Sequence, residues 1–404
     1  NSMGLILTRS PFHISRKGLD ANALLTVEIG RYDVESGDGF YPIETYSLNF
    51  RSNSHIDIAP LINGEMENSY VYSASTGNYS VGYNNDTMYV RTTLSGSING
   101  TAQSDVIEEF SATEGYRFFS EKQDEDYSSI LPDNCYYAGS SDLIYKLDDS
   151  NIRIPLVNPA SDYTSNPSPE YLTVSSLFKG SVVHTDYFSY LYENSSQEII
   201  KYYDSNLEGS SFTNRVYNDE GLVEGSICLD NFFDEFKTED IDEILISTGS
   251  CVKKIKVLAI EECKYNPYKI TFKNRFGAME DLWFFKKSTL SLSVKSEEFR
   301  ANQFKLRNSD DESLGGLVRS SQEYNKNGIE SITLNSGFVD EALNESFKQL
   351  MLSEEVGLYD FKNDTINAIK IKDSELKIKT STNDKLINYT IEVEMSNNII
   401  DDIV

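Results

Sequence analysis

The sequence predicts a mainly β protein, with several antiparallel β-sandwich domains followed by a C-terminal α+β domain that carries one amphipathic helix. Three observations predict this fold class. The chain contains 26 Tyr and 21 Phe but only 9 Pro residues, and aromatic residues favour the pleated, half-buried surface of a sheet. Apolar and polar residues alternate with a period of two in many short segments, as in half-buried strands. The best helical spacing in the chain lies at residues 338–352.

The length of the chain predicts more than one domain. Its 404 residues exceed the ~100–150 residues of an ordinary domain, so about two to three domains are expected. Short strand-like segments with turn signals every ~8–12 residues are typical of immunoglobulin-like or fibronectin-like sandwiches. We divide the sequence into an N-terminal β-sandwich, one or two middle β domains and a C-terminal α+β assembly domain, at residues 3–105, 106–263 and 264–404.

The N-terminal domain is predicted to consist of strands and turns. Residues 25–29 and 46–50 alternate between apolar and polar side chains, and residues 88–98 have the composition of a further strand. Residues 55–62 predict a short helical or looped crossover. The Ser- and Gly-rich residues 95–105 predict a domain boundary or a long loop.

The middle region has a similar pattern of short strand-like segments and turns. Its predicted strands lie at residues 116–119, 143–145, 152–154, 171–174, 182–203 and 244–260. Between two of them, residues 158–169 contain three prolines and several serines. That composition favours an irregular, exposed loop.

The C-terminal domain begins with the strongest local signal in the chain. Residues 265–287 contain the turn sequence Asn274–Gly277 between two aromatic segments, and the single tryptophan, Trp283. Residues 282–285 are all large and apolar, which favours a strand buried on both faces or against a neighbouring chain. The alternative is an exposed platform on which Trp283 stacks against a sugar. We expect a buried core or a subunit contact.

A helix and a meander complete the C-terminal prediction. Residues 338–352 place their apolar side chains on one helical face, and Gly357 is a candidate helix end. Residues 369–372 and 376–379 are predicted as two strands with Lys pointing outward, joined by a turn at Asp373-Ser374. Residues 387–395 are predicted as a strand with Glu pointing outward. If these strands are neighbours, Lys and Glu form cross-strand pairs.

The charge of the chain limits its partners. The formal net charge is −28, from 64 acidic and 36 basic residues, and such a field repels phosphate backbones. Nucleic acid is therefore not an expected partner, and the acidity is interpreted as an aid to solubility. No run of ~20 apolar residues predicts membrane insertion. The N-terminus shows no charged-then-apolar signal peptide.

Histidine and cysteine give no catalytic or metal-binding pattern. His13, His55 and His184 lie far apart in the sequence without a recognisable nucleophile and carboxylate, so we expect structural roles. The four cysteines are Cys135, Cys228, Cys251 and Cys263. They lack the C-x-x-C spacing of a zinc site and are too few for a disulfide framework. Reduced thiols are expected, with a Cys251–Cys263 or Cys228–Cys251 bridge left open.

Other groups of residues are equally weak evidence of a metal-binding or catalytic site. Residues 204–209 resemble the start of an EF-hand loop, but Arg215 occupies the position that needs a bidentate Glu. Asp310, Asp311 and Glu312 are interpreted as a solvated acidic loop. Among 64 acidic residues, carboxylate pairs suited to glycoside hydrolysis arise by chance. The sequence therefore predicts no catalytic, cofactor-binding or metal-binding residues and no cofactor.

One resemblance bears on function. The N-terminal segments RSPFHIS, LLTVEIGRYD, YSLNF and HIDIAPLI resemble the opening domain of structural proteins of tailed bacteriophages, especially those that infect Bacteroidetes-type hosts. The C-terminal segments YKITFKNRFGAMEDLWFF, LNSGFVDEALNESFKQLMLSEEVGLYD and IKTSTNDKLINYTIEVEMSNN are similar to the closing domain of such proteins. The resemblance covers roughly the first 65 and the last 140 residues, and no catalytic residues come with it.

The resemblance implies a non-enzymatic structural component of a virion, with the tail as the expected location. The chain would be made in the host cytoplasm and would assemble with other virion or tail proteins and with itself as a homo-oligomer. One alternative is a carbohydrate-binding surface protein or adhesin, whose partner is a host-surface glycan. A second alternative is a polysaccharide-degrading enzyme.

Overall fold

The structure is a computed structural model. It describes residues 4–15, 19, 23–33, 39–50, 55–66, 88–121, 137–147, 152–157, 171–193, 196–203, 214–217, 224–229, 241–248, 251–260, 264–300, 321–360, 365–373, 375–377 and 386–400. Within these residues there are 25 strands and two α-helices, so the prediction of a mainly β protein is confirmed.

The chain forms two compact units. The first contains residues 1–261, 272–282 and 342–355, and the second contains residues 262–271, 283–341 and 356–404. The division at residues 3–105, 106–263 and 264–404 stays a prediction.

A five-stranded sheet organises the N-terminal part. Its strands, in spatial order, are β1 (Gly4–Leu7), β9 (Val106–Thr113), β6 (Met88–Ser95), β3 (Ala23–Asp33) and β4 (Gly39–Phe50). The β1–β9 pair is parallel and the other pairs are antiparallel. The alternation predicted for residues 25–29 is confirmed, because Leu25, Val27 and Ile29 are fully buried. Turning these side chains inward places Thr26 and Glu28 on the opposite face.

Short elements pack against the buried side chains of this sheet. Strands β2 (His13–Ser15) and β5 (His55–Asp57) form a two-stranded ribbon, and helix α1 (Ala59–Glu65) follows directly. The Asp57 carboxylate accepts hydrogen bonds from the N–H groups of Phe12 and Ala59, at 2.9 and 3.1 Å. The crossover predicted for residues 55–62 is therefore a short strand followed by a helix.

The Ser- and Gly-rich segment 95–105 contains a second ribbon. It consists of β7 (Ser97–Ile98) and β8 (Thr101–Ala102). Asn99 and Gly100 both have positive φ, which suits the tight turn of a two-residue hairpin. This hairpin lies between β6 and β9, which pair with each other in the first sheet.

The middle region contains a seven-stranded sheet and a separate pair. The sheet order is β10 (Leu143–Leu147), β18 (Cys251–Ile260), β17 (Glu243–Thr248), β12 (Tyr171–Phe178), β13 (Ser181–Glu193), β14 (Ser196–Tyr203) and β15 (Asn214–Tyr217). Strand β11 (Ile152–Val157) pairs with β16 (Glu224–Leu229). The strand predicted at residues 116–119 is wrong: the segment is not a strand, and the Tyr116 N–H bonds the Arg275 carbonyl across a loop, at 2.8 Å.

A second seven-stranded sheet contains the C-terminal strands. Its order is β20 (Met279–Phe284), β19 (Tyr268–Lys273), β23 (Val356–Asp360), β24 (Thr365–Ile371), β25 (Leu386–Met395), β22 (Ser321–Asp340) and β21 (Thr289–Arg300). The predicted turn at Asn274–Gly277 joins β19 to β20. Trp283 is only 5% exposed, so its predicted burial is confirmed and the sugar-platform interpretation of this residue is wrong.

The C-terminal helix is shorter than predicted. Helix α2 spans Asn344–Leu352, after a 3-10 turn at Glu341–Leu343. Residues 338–340 belong to β22, because their backbone is paired with β25 as far as Asp340, opposite Leu386. The helix ends at Leu352 and Gly357 lies in β23, so Gly357 does not end it.

The predicted meander is confirmed in part. Strand β24 ends at Ile371, and Leu376 and Lys377 lie outside any strand. Lys370 lies opposite Glu394 on β25. The Lys372 Nζ is 2.6 Å from the Glu392 carboxylate, so the predicted cross-strand charge pairing is present.

Candidate functional site: a buried polar network and an exposed strand edge

The residues considered for chemistry remain mostly dispersed. His184 lies on β13, whereas His13 and His55 lie on the paired strands β2 and β5. Both are exposed, with His13 opposite Asp57 and Ser15 opposite His55. Sequence spacing alone could not show this proximity, because it arises from strand pairing. Among the described residues, no group of His, Cys, Asp and Glu could hold a metal ion.

Several candidates cannot be placed. Residues 204–213 of the EF-hand-like segment, the acidic residues 310–312, and Cys135 and Cys263 lie outside the described residues. Cys228 lies on β16 opposite Arg153, and Cys251 lies on β18 opposite Thr248. The redox state of the four cysteines stays a prediction.

The structure instead brings together a buried polar network around Glu280 on β20. One carboxylate oxygen accepts hydrogen bonds from the hydroxyl groups of Ser140 and Ser346, the latter at 3.1 Å. The other accepts from the Ser140 backbone N–H and from the Asn274 side-chain amide, both at 3.2 Å. Three separate segments of the first unit therefore converge on one carboxylate that is only 8% exposed.

Asn274 shapes the turn that positions Glu280. Its side-chain oxygen accepts from the N–H groups of Phe276 and Ala278, at 3.0 and 3.2 Å. Its side-chain amide also donates to the Ala138 carbonyl at 2.8 Å. Gly277 completes the turn with a φ of +86°, a conformation that residues with a Cβ rarely adopt. The sequence Asn-Arg-Phe-Gly therefore encodes both the turn and a contact with a distant segment.

Burial raises the pKa of the Glu280 carboxyl above its ordinary value, since desolvation disfavours the charged form. The hydrogen bonds from Ser140, Asn274 and Ser346 favour the charged form and oppose this shift. Desolvation is the larger of the two effects, so the net shift of the Glu280 pKa is upward.

A second buried cluster surrounds Lys273, the last residue of β19. Its Nζ lies 2.5 Å from a Glu114 carboxylate oxygen and 3.1 Å from one of Glu355. Its backbone N–H donates to the Ser353 hydroxyl at 3.2 Å. Lys273 is 4% exposed, so these ions attract each other with little screening by water.

Arginines extend the network towards the surface. Arg275 bonds the Glu121 carboxylate at 2.7 Å, and its backbone N–H donates to the Gln349 side chain at 3.0 Å. Arg9 bonds Glu354 at 2.9 Å and the Leu352 carbonyl at 3.1 Å. The end of α2 is thus tied by side chains to the N-terminal segment and to the 274–278 turn.

The Glu280 network joins distant segments of the first unit. The Ser140 and Ser346 hydroxyls donate to the Glu280 carboxylate, and Ser346 is fully buried. Glu114 and Glu355 share the Lys273 ammonium group. The carboxylate of Glu280 is therefore hydrogen-bonded on both oxygens, as is usual for a buried polar group.

Sequence reasoning missed Glu280 and Lys273. The available signal was the charged residues among large apolar ones in the strands on each side of the 274–277 turn: Lys269 and Lys273 in β19, and Glu280 and Asp281 in β20. That signal marks buried charge, but it does not identify partners such as Ser140 or Glu114, which are far away in the chain.

A different kind of surface lies on β21. Every residue from Thr289 to Arg300 is exposed, including Leu290 at 62%, Leu292 at 58% and Val294 at 52%. We call the exposed side chains of Leu290, Leu292 and Val294 the β21 patch. It lies on the last strand of the C-terminal sheet, and no described strand pairs with its outer edge.

Comparison of the chain with models of known protein families and with curated proteins gives no match. No helix in the described part of the chain is both long and apolar enough to cross a membrane.

Proposed function

We propose that this chain is a non-enzymatic structural component of a bacteriophage virion, located in the tail, that acts by assembling with other virion proteins and with copies of itself. The observation that carries the assembly role is β21, a 12-residue edge strand exposed at every position. An unpaired strand edge is a template for pairing with another chain. The resemblance of the N- and C-terminal segments to phage structural proteins supports the virion location.

The internal polar contacts also support a structural role. Glu280, Lys273 and Arg275 form hydrogen bonds and ion pairs that connect segments distant in sequence. Such contacts stabilise a particular arrangement of the chain, which supports a structural role for these groups.

Electron microscopy of the purified chain tests the proposal. Assembly predicts ring-shaped or fibrous particles, whereas a chain that remains monomeric at every concentration would count against it. Tail-tube, tape-measure or portal genes beside the coding region would agree with the proposal. A neighbouring sugar-utilisation cluster would contradict it.

Binding to a host-surface glycan is a second candidate, favoured by one exposed aromatic pair. The rings of Phe299 and Tyr324 meet edge to face with centroids 5.7 Å apart, and both side chains are exposed. Aromatic rings of this kind offer apolar area to a sugar. Binding on a glycan array would favour this candidate over assembly alone. The polysaccharide-degrading alternative stays a prediction, tested by release of reducing sugar.

A further inference from the structure

We propose that the β21 patch is the contact between two copies of this chain, which pair antiparallel through β21 with Leu292 on a two-fold axis. This inference rests on the proposed assembly function and specifies one of its contacts. A two-fold contact uses the same surface on both copies, so the surface must be complementary to itself.

The apolar surface on β21 continues the buried face of its sheet. Leu290 lies opposite Ile332 on β22, and Ile332 lies opposite Val393 on β25. Ile332 and Val393 are buried, whereas Leu290 is exposed. The core-facing side of the sheet therefore extends past its last covered strand, which is the condition of a surface that awaits a partner.

Exposed apolar surface continues from the β21 patch onto Ile399, which lies outside β21. A Cβ built on Gly328 would meet the Leu292 side chain at 3.0 Å and the Ile399 side chain at 3.2 Å. Leu292 and Ile399 thus lie side by side over Gly328, and both are exposed. Ile399 is held there by a hydrogen bond from its N–H to the Gly328 carbonyl, at 2.8 Å.

The sequence of β21 is self-complementary about Leu292. When two strands run antiparallel, positions equally far from the centre oppose each other. Leu290 of one copy then faces Val294 of the other, and Leu292 faces Leu292. Ser291 faces Ser293 on the opposite side of the strand. Apolar side chains therefore contact apolar side chains, and serine lies opposite serine.

Charge favours the same arrangement. Two copies of a chain with net charge −28 repel each other, so a contact between them needs a surface of low or complementary charge. Residues 288–294 contain no charged side chain. Lys287 precedes this segment and Lys295 follows it. With Leu292 at the centre, the regular part of β21, Thr289–Lys295, pairs with itself, and Thr289 of each copy faces Lys295 of the other, so no like charges meet.

Sedimentation velocity of the full chain over a range of concentrations tests the contact. We expect a concentration-dependent dimer whose dissociation constant rises about 100-fold or more in Leu292→Glu, because two carboxylates then meet at the axis. Ile107→Glu is the matched control: Ile107 is 60% exposed on β9, against 58% for Leu292. A wild-type monomer at all concentrations, or equal dimerisation of wild type and Leu292→Glu, would overturn the inference.

A charge exchange tests the alignment of the two strands. In the proposed alignment Ser291 of one copy faces Ser293 of the other, and both are exposed. Ser291→Lys combined with Ser293→Lys places like charges opposite each other and should weaken the dimer about tenfold. Ser291→Lys combined with Ser293→Glu places opposite charges there and should bind at least about tenfold more tightly than the first double variant. If the two double variants dimerise equally, the alignment centred on Leu292 is wrong.

The two proposals fail in different ways. A dimer that Leu292→Glu disrupts, without rings or fibres by electron microscopy, would leave the β21 contact standing and contradict the virion role. Rings or fibres that Leu292→Glu does not alter would support the virion role and contradict the β21 contact.

Discussion

At the scale of single residues, we expect the buried carboxylate of Glu280 to make the free energy of unfolding depend on pH. Its pKa is raised by burial from the ordinary value of 4.5. A carboxyl group with a raised folded-state pKa contributes most to stability when it is protonated in both states. That contribution is lost as the pH rises from about the unfolded value through the folded value.

Glu280→Gln should remove this dependence. An amide keeps the shape of the side chain, and the Ser140 and Ser346 hydroxyl groups can rotate to accept from its NH2 group. Urea unfolding at a series of pH values from 4 upward measures the effect. The free energy of unfolding of the wild type should fall relative to that of the variant as the pH rises. Glu108→Gln, at an exposed position on β9, is the control, and a constant difference between wild type and Glu280→Gln would contradict the account.

Lys273 should contribute more to the free energy of unfolding than a lysine in a surface ion pair. Lys273→Met leaves the Glu114 and Glu355 carboxylates without their shared cation, and breaking a buried ion pair costs about 3–5 kcal/mol. Lys254→Met is the matched control, since Lys254 pairs with Glu243 at 2.6 Å but its side chain is 59% exposed. Its loss should cost at most about 1 kcal/mol. Chemical denaturation of both variants measures the difference, and equal losses would show that the Lys273 cluster is not stabilising.

At the scale of elements, the turn between β19 and β20 determines where Glu280 and Asn274 lie. Gly277→Ala puts a Cβ on a residue with φ of +86°, close to Thr113, and should cost about 1–2 kcal/mol. Gly64→Ala provides a control of opposite sign, because Gly64 lies in α1 with open space around it. That substitution should be neutral or stabilise by up to about 1 kcal/mol. Thermal unfolding compares them, and equal melting temperatures would contradict this role of Gly277.

The sequence predicted elements well where the pattern was local. The period of two at residues 25–29 and 387–395 and the turn at Asn274–Gly277 depend on neighbouring residues, and all appear as expected. The helix start at residue 338 was wrong because backbone pairing of β22 with β25 competes with helical spacing there. The partners of Glu280 were not predictable, since Ser140 and Ser346 reach it only through tertiary folding.

At the scale of the whole molecule, buried charges such as those of Lys273 and Glu114 pair with each other, while the apolar side chains of Leu290, Leu292 and Val294 on β21 are exposed. A strongly acidic chain gains solubility from its charge, yet residues 288–294 interrupt that charge on an edge strand. Natural edge strands are commonly protected by charges or proline. The second half of β21 carries such charges, at Lys295, Glu297, Glu298 and Arg300, so the uncharged first half, residues 289–294, is the part that we propose a second copy covers.

Negative-stain electron microscopy of the wild type beside Leu292→Glu is the sharpest test of whether the chain is an assembly protein. Both proteins should be examined at the same concentration, with Ile107→Glu included to control for an added surface carboxylate. The account predicts rings or fibres for the wild type and Ile107→Glu, and their loss in Leu292→Glu. Isolated monomers in the wild-type sample at every concentration would contradict it.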